Sequence, residues 1–299
     1  MLPTLGSRLD WIGGILNLGL FTSLLLPLQW GGNTRPWSDP AVIALFIVAG
    51  VLLAILLAWE RYKKDDAMVP LKVLARKTQL GCAIAGFLSY VAMLTVTYYL
   101  PLWYQARGHS AIRSGLDILP YLIALVVAAG IAGATVTKTG RYWWFLLLCP
   151  LISAIASGLL FTLSPDTPSA NLIGYQILYG VGIGGAFQNY LVAVQADYAD
   201  EEEMIPQATS FFSFCQILGG IVGIAMAGSI FSNNFRKNLD LHATNLPPEI
   251  KAAVLSSVTV IRSLPEALKA EVVLAYARSL GPIFIIGVVV TILMSLSTL

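Results

Sequence analysis

Along this chain long apolar runs alternate with short polar ones. Eight apolar segments can be marked, at about 11–29, 40–59, 80–103, 115–136, 142–162, 172–196, 207–231 and 281–299. A helix of roughly 20 residues crosses a bilayer, so the pattern predicts an all-α membrane protein, a polytopic bundle of about eight transmembrane helices. The division predicts a tail over 1–9, a helix pair within 10–59 and a basic loop over 60–79. A six-helix body over 80–299 follows, interrupted by a long connection at 232–280. Within that connection Pro248-Glu249 and Pro265-Glu266 read as helix starts, and Leu264, Leu268, Val272 and Ala275 make an apolar face. A pair of short helices on the outer surface is expected there, with Gly281-Pro282 opening the last span. The N-terminal run has no small-residue cleavage site behind it and reads as a first spanning helix.

Two segments are patterned differently from the rest. NLIGYQILYGVGIGGAFQNYLVAVQA (171–196) and QATSFFSFCQILGGIVGIAMAGSIF (207–231) contain no Lys, Arg, Asp or Glu, but they carry glycines and neutral polar groups in stripes. Gln176, Tyr179, Ile183, Phe187 and Tyr190 recur at helical spacing beside Gly180 and Gly184. Thr209, Ser213, Gln216, Gly220, Gly223 and Ala227 form a second face. Small residues let helix backbones approach, and amides need partners, so such faces belong against other helices or a solute cavity rather than lipid. The GVGIGG run at 180–185 matches a nucleotide-binding glycine loop only superficially, because no strand precedes it and no βαβ unit surrounds it. It reads as a helix-packing device.

Composition agrees: 57% of the 299 residues are hydrophobic and 11% charged, with mean hydropathy +0.76. Soluble domains carry about 25% charged residues. The net charge of +2 is too small to imply nucleic acid as a partner; the expected surroundings are membrane lipid. Cys82, Cys149 and Cys215 lie apart in apolar segments and read as buried thiols. With His109 and His242 each alone in a polar loop, neither a metal site nor a cofactor is indicated.

The seven tryptophans, Trp11, Trp30, Trp37, Trp59, Trp103, Trp143 and Trp144, fall at or beside segment ends, as an interfacial belt requires. If the first residues are cytoplasmic, the short loops on that side hold nine basic residues, Arg8, Arg61, Lys63, Lys64, Lys72, Arg76, Lys77, Lys138 and Arg141. The other side holds three, Arg35, Arg107 and Arg113. The positive-inside rule then puts both termini in the cytoplasm and 232–280 outside. The acidic run DYADEEE at 197–203 falls on the cytoplasmic side, where acidic residues weigh little.

Several stretches carry a family resemblance. LDWIGGILNLGLFTSLLLPLQWGGNTRPWSDP, closed by Trp59-Glu60, resembles the paired linker helices of fourteen-helix major facilitator drug:proton antiporters, especially fungal ones. YYLPLWYQARGHSAIRSGLDILP resembles that family's seventh core helix and the turn into its eighth. GATVTKTGR at 133–141 keeps the spacing of the interhelical motif G-x-x-x-D-[RK]-x-G-[RK], with Gly133, Lys138, Gly140 and Arg141 in place and Thr137 where the motif has Asp. The resemblance covers nearly the whole chain. It implies an efflux pump, not an enzyme, in the plasma membrane, exporting small amphipathic organic compounds, drugs or secondary-metabolite toxins by proton antiport. It also implies that 80–299 is a C-terminal six-helix half whose N-terminal partner half is missing, so that the exposed face expects that half or self-association. A siderophore carrier of the same superfamily and a non-transporting membrane scaffold or regulator stay open as alternatives.

Within that expectation the side chains able to meet a small organic solute are Gln176, Tyr179, Gln188, Asn189, Gln216, Tyr90, Tyr98 and Tyr99, each of which serves equally well in helix–helix hydrogen bonding. Proton coupling needs a titratable group within the membrane, where a charge is expensive. Asp117 comes nearest, although an acid near a helix N-terminus has a simpler electrostatic reason to be there. Pro120 and Pro150 are expected inside helices, as kinks or gating bends.

Overall fold

The computed structural model describes residues 10–298 apart from 33, 64–72, 74, 165, 244 and 245. The expected tail 1–9 and much of the basic loop 60–79, with Lys64 and Lys72, lie outside the described residues. Within them are ten α-helices: α1 (Trp11–Trp30), α2 (Pro40–Lys63), α3 (Lys77–Ala106), α4 (Ala111–Asp117), α5 (Leu119–Thr139), α6 (Trp143–Phe161), α7 (Ser169–Asp197), α8 (Ile205–His242), α9 (Pro248–Ser256) and α10 (Glu266–Leu296). Short 3₁₀ turns run over Glu202–Met204 and Val258–Ser263. Eight spans are long and apolar enough to cross a membrane, with α4 and α5 sharing one. Each overlaps one expected segment, and the protein is an integral, multi-pass, all-α membrane protein.

α1 and α2 form a hairpin with its own small core of Leu20, Ala49 and Leu56. Asp10 closes one end, accepting from the Gly13 amide at 2.9 Å and from the Trp59 indole at 3.0 Å. The hairpin rests on α8, where Phe21 meets Phe214 at 4.5 Å between centroids and the Ser229 hydroxyl donates to the Gly31 carbonyl at 2.8 Å.

The six remaining spans make one bundle. α7 lies between α5 and α6, and α3 packs against α8 and α10. Glycine decides how close these helices come. A Cβ on Gly180 or Gly184 would strike the α5 backbone at Tyr121 or Leu125, and one on Gly182 or Gly185 would strike Ser153 or Cys149 of α6. The GVGIGG run therefore presents two glycine faces, one to each neighbour. Gly219 and Gly223 do the same for α8 against Phe87 and Val91 of α3. Of the three cysteines Cys82 and Cys149 are buried and Cys215 half-buried, all as free thiols.

The connection 232–280 differs from its expected form. α8 does not stop near Phe231 but runs 38 residues to His242, roughly 57 Å at the α-helical rise. The second expected surface helix is not separate: Glu266 begins α10, which continues through Gly281-Pro282 to Leu296. Only the stretch 243–265 lies between the two long helices, and it holds α9, the first expected helix. The physical reason is that the apolar stripe of α8 persists past the membrane-like segment, with Phe235 and Leu239 following Phe231 at four-residue steps while charged residues occupy the other side. Phe231, Phe235 and Tyr276 of α10 form an aromatic cluster with centroids 4.9–5.4 Å apart, and this packing outweighs the missing amide of Pro282, a loss of about 3 kcal/mol in an isolated helix interior.

Pro120 is likewise not in a helix interior. The chain breaks at Ile118, φ −93° and ψ 0°, and Pro120 sits in the first turn of α5, where a proline loses no hydrogen bond. Pro150 does lie within α6. The 133–141 stretch ends α5 with Gly140 at φ +66°, its amide returning to the Val136 carbonyl at 2.7 Å. That left-handed cap explains the glycine. Thr137 donates back to the Gly133 carbonyl at 2.9 Å, and Lys138 and Arg141 are exposed.

Candidate functional site

The polar candidates divide by burial. Gln176, Tyr179, Asn189 and Tyr99 are buried. Gln176 of α7 donates to the Tyr104 hydroxyl of α3 at 2.7 Å, and its other amide atom has no protein partner. Tyr179 lies 5.6 Å from Tyr121 of α5 between ring centroids, and Tyr121 approaches the Thr97 hydroxyl at 3.3 Å. Asn189 donates back to the Gly185 carbonyl of its own helix at 2.8 Å. Tyr99 packs on Phe231, 5.9 Å between centroids.

The remaining candidates range from exposed to buried. Gln188 and Tyr98 are exposed and Tyr90 half-buried. Tyr90 of α3 stacks on Phe187 of α7 at 5.6 Å and 25°. Gln216, 7% exposed, lies beside Gly86, and Gly220 lies beside Tyr90. α3, α7 and α8 thus bring Tyr90, Phe187 and Gln216 to one region, an aromatic pair beside one amide. This arrangement can stack on a flat apolar solute and offer it a neutral hydrogen-bonding group. An open groove of about 450 Å³ between α5, α6 and α7, with Ile123, Val127, Ile131, Phe145 and Ile177 among its lining, contains none of the candidates. Its apolar lining suits lipid acyl chains.

Asp117 closes α4, and its surroundings were not apparent from spacing. Asp117 Oδ2 lies 2.5 Å from His109 Nδ1, and Oδ1 lies 3.1 Å from Arg113 Nε. His109 is therefore not alone in a polar loop. Its ring also lies 5.5 Å from that of Tyr104, the acceptor of the Gln176 bond. Gly108, at φ +96°, turns the chain so that His109 can fold back on the end of α3, and Ser110 caps α4 by accepting from the Arg113 amide at 3.0 Å. His242 also has a partner, since Arg278 donates to its Nε2 at 2.7 Å. No group of three or more metal-ligating side chains occurs among the described residues.

At the opposite end Arg76, just before α3, holds the acidic run. It donates to the Asp197 carbonyl and to Glu201, and its guanidinium lies 4.1 Å over the Tyr198 ring. Burial pushes the Tyr198 phenol up from its ordinary value, and Arg76 opposes that shift.

Residues 7–224 match the family model described as Major Facilitator Superfamily. The chain belongs to the Major Facilitator Superfamily. It is 37% identical over 295 residues to the MFS-type transporter astH of Aspergillus oryzae, covering 96% of this chain and 50% of that protein. The Aspyridones efflux protein of Neocamarosporium betae is 34% identical, again over 96% of this chain and 50% of its own length. The efflux pump aunC of Aspergillus niger is 37% identical over 86% of this chain and 48% of its length. The chain spans about half the length of these curated relatives.

Proposed function

We propose that this major facilitator chain works in an exporter of small amphipathic organic compounds, drugs or secondary-metabolite toxins, driven by proton antiport. We place it in the plasma membrane with both termini cytoplasmic, as the basic loops favour, and read it as a transporter rather than an enzyme. The observation that carries the reading is coverage: 96% of the chain aligns with proteins named as a transporter and an efflux protein. The region of Tyr90, Phe187 and Gln216 supports an amphipathic, partly flat solute, because it offers stacking and neutral polar contact without a charge. Gln176, Tyr179, Asn189 and Tyr99 stand behind it, where they set helix positions more than they touch solute. The six-helix bundle meets the other half of a full-length transporter or a second copy of this chain.

The test is a chimera in which residues 1–299 replace the matching part of astH in a yeast strain without its own pumps. Efflux of fluorescent amphipathic compounds is then followed with and without a protonophore. Protonophore-sensitive efflux is expected, with Gln216→Leu and Tyr90→Ala changing which compounds leave the cell at unchanged protein level. A well-expressed chimera that moves none of a broad panel would refute the reading. Efflux indifferent to the protonophore would refute the antiport.

A further inference from the structure

We propose that a cavity between the start of α3, the start of α6 and the end of α10 holds the phosphate of an anionic membrane phospholipid. The cavity measures about 360 Å³, and its lining includes Lys77, Thr78, Tyr142, Trp143, Leu146 and Leu147. That volume falls within the range of small-ligand pockets, about 300–1,000 Å³. Lys77 is the one charged group among the described lining residues. It is exposed, and it has no ion-pair partner among the described residues. The preceding Arg76 is engaged elsewhere, by Asp197 and Glu201 at and just after the end of α7. Lys77, not an acid, therefore sets the sign of the cavity.

Two helix ends add to that charge. α3 has no side-chain cap and no acid in its first turn, and the Leu80 amide is the one that returns to the Arg76 carbonyl, at 3.1 Å. The amides before it are left for another acceptor. α6 also starts without a side-chain cap or an acid in its first turn. Such amides carry the positive end of the helix dipole and hydrogen-bond phosphate oxygens. Thr78 and Tyr142 bring hydroxyls beside them. Ser297 and Thr298, which line the α10 side, already donate to the carbonyls of Met294 and Ser295 at 2.8 and 2.7 Å. The anion is thus held from α3 and α6.

The lining favours a lipid over free phosphate. Leu146 and Leu147 make part of the wall apolar, and beside them Leu148, Leu151 and Ile155 run along α6 as an exposed apolar stripe. An acyl chain can lie on that stripe while its head group enters the cavity. Trp143 and Trp144 stack at 3.7 Å between centroids, both about half exposed, and indoles in that position mark the level of the head groups. Basic pockets between helices at a membrane surface take anionic head groups. The orientation proposed above puts this one in the cytoplasmic leaflet, whose surface is negative because of its anionic lipids.

Nothing here requires a transported solute, so the test can fail while the export reading stands. The purified full chain is stripped of lipid in detergent and titrated with phosphatidylglycerol or phosphatidylcholine, and bound lipid is counted by native mass spectrometry. One phosphatidylglycerol is expected to bind in preference to phosphatidylcholine. Lys77→Gln should weaken it by about five-fold, the factor for one basic residue near anionic lipid. Lys77→Arg should keep it. Lys138→Gln removes an exposed charge at the same end but outside the cavity, and it should leave the binding unchanged. Equal binding of the two lipids overturns the proposal. Equal losses in Lys77→Gln and Lys138→Gln overturn it too, because they would assign the binding to diffuse surface charge. Excess inorganic phosphate should not displace the lipid; displacement would show that the site takes phosphate alone and overturn the lipid as its occupant.

Discussion

A Cβ added to Gly184 would stand 2.1 Å from the carbonyl oxygen of Leu125, so α7 and α5 touch through their backbones at that point. Gly174 of the same helix has nothing within 4 Å of the equivalent position. The two glycines therefore predict opposite responses. Gly184→Ala forces the helices apart and should destabilise by about 1–3 kcal/mol or more, since a backbone atom cannot rotate aside. Gly174→Ala should be neutral or stabilising by up to about 1 kcal/mol, because glycine is the poorer helix former. Thermal unfolding and monodispersity of the two variants in one detergent check the pair. Equal behaviour would show that the close approach is not what glycine supplies at position 184.

The Gln176–Tyr104 bond predicts a modest effect, not a collapse. Interhelical hydrogen bonds within membranes average about 0.6 kcal/mol in double-mutant cycles, with a ceiling near 1.7 kcal/mol. Gln176→Leu also removes an amide oxygen that has no protein partner, which offsets part of the loss. Gln176→Leu, Tyr104→Phe and the double variant should therefore couple by about 0.5–1.7 kcal/mol in mixed-micelle unfolding. Coupling near zero would mean that the bond is replaced by water when it is broken.

The spans were legible because each carries its own apolar signal and satisfies its own backbone. The GVGIGG reading held for a related reason, since glycines inside an unbroken apolar helix have packing as their use. Two things were hidden by the same kind of cause. Phe235, Leu239 and Tyr276 keep a helical stripe going among Arg236, Lys237 and Arg278, so average polarity suggested a loop where periodicity continued the helix. At Asp117, eight residues separate the acid from His109, a spacing with no meaning on one helix. Only the positive φ of Gly108 brings them together, and a turn of that kind is set by where α3 ends. Gln176 and Tyr104, 72 residues apart, were unreadable as a pair without the bundle.

Arg76→Gln should change local order more than stability. Its partners are partly exposed, with Asp197 at 27% and Glu201 at 54%, and ion pairs of that kind contribute about 0–1 kcal/mol. Limited proteolysis at 197–203 should nonetheless become faster. The alkaline limb adds a signed check. A buried phenol raised above its ordinary value of about 10 favours the folded state below that pH and loses this contribution as pH climbs past it. Arg76 opposes the rise at Tyr198, so Arg76→Gln should steepen the loss of stability above about pH 10, and Tyr198→Phe should flatten it. A steeper limb in Arg76→Gln that persists when Tyr198→Phe is added would assign the effect to another group.

Orientation is the prediction with the widest consequence, because it decides which solution each end of the bundle meets. In a chain lacking Cys82, Cys149 and Cys215, single cysteines at Ser169 and Ser256 test one side and a cysteine at Lys138 the other. All three positions are exposed, so access and not burial governs the label. Ser169 opens α7 and Ser256 closes α9, both on the side that nine basic residues against three assign to the outside. A membrane-impermeant maleimide on intact cells should therefore label 169 and 256 and leave 138 until the cells are opened. Labelling at 138 alone would invert the topology.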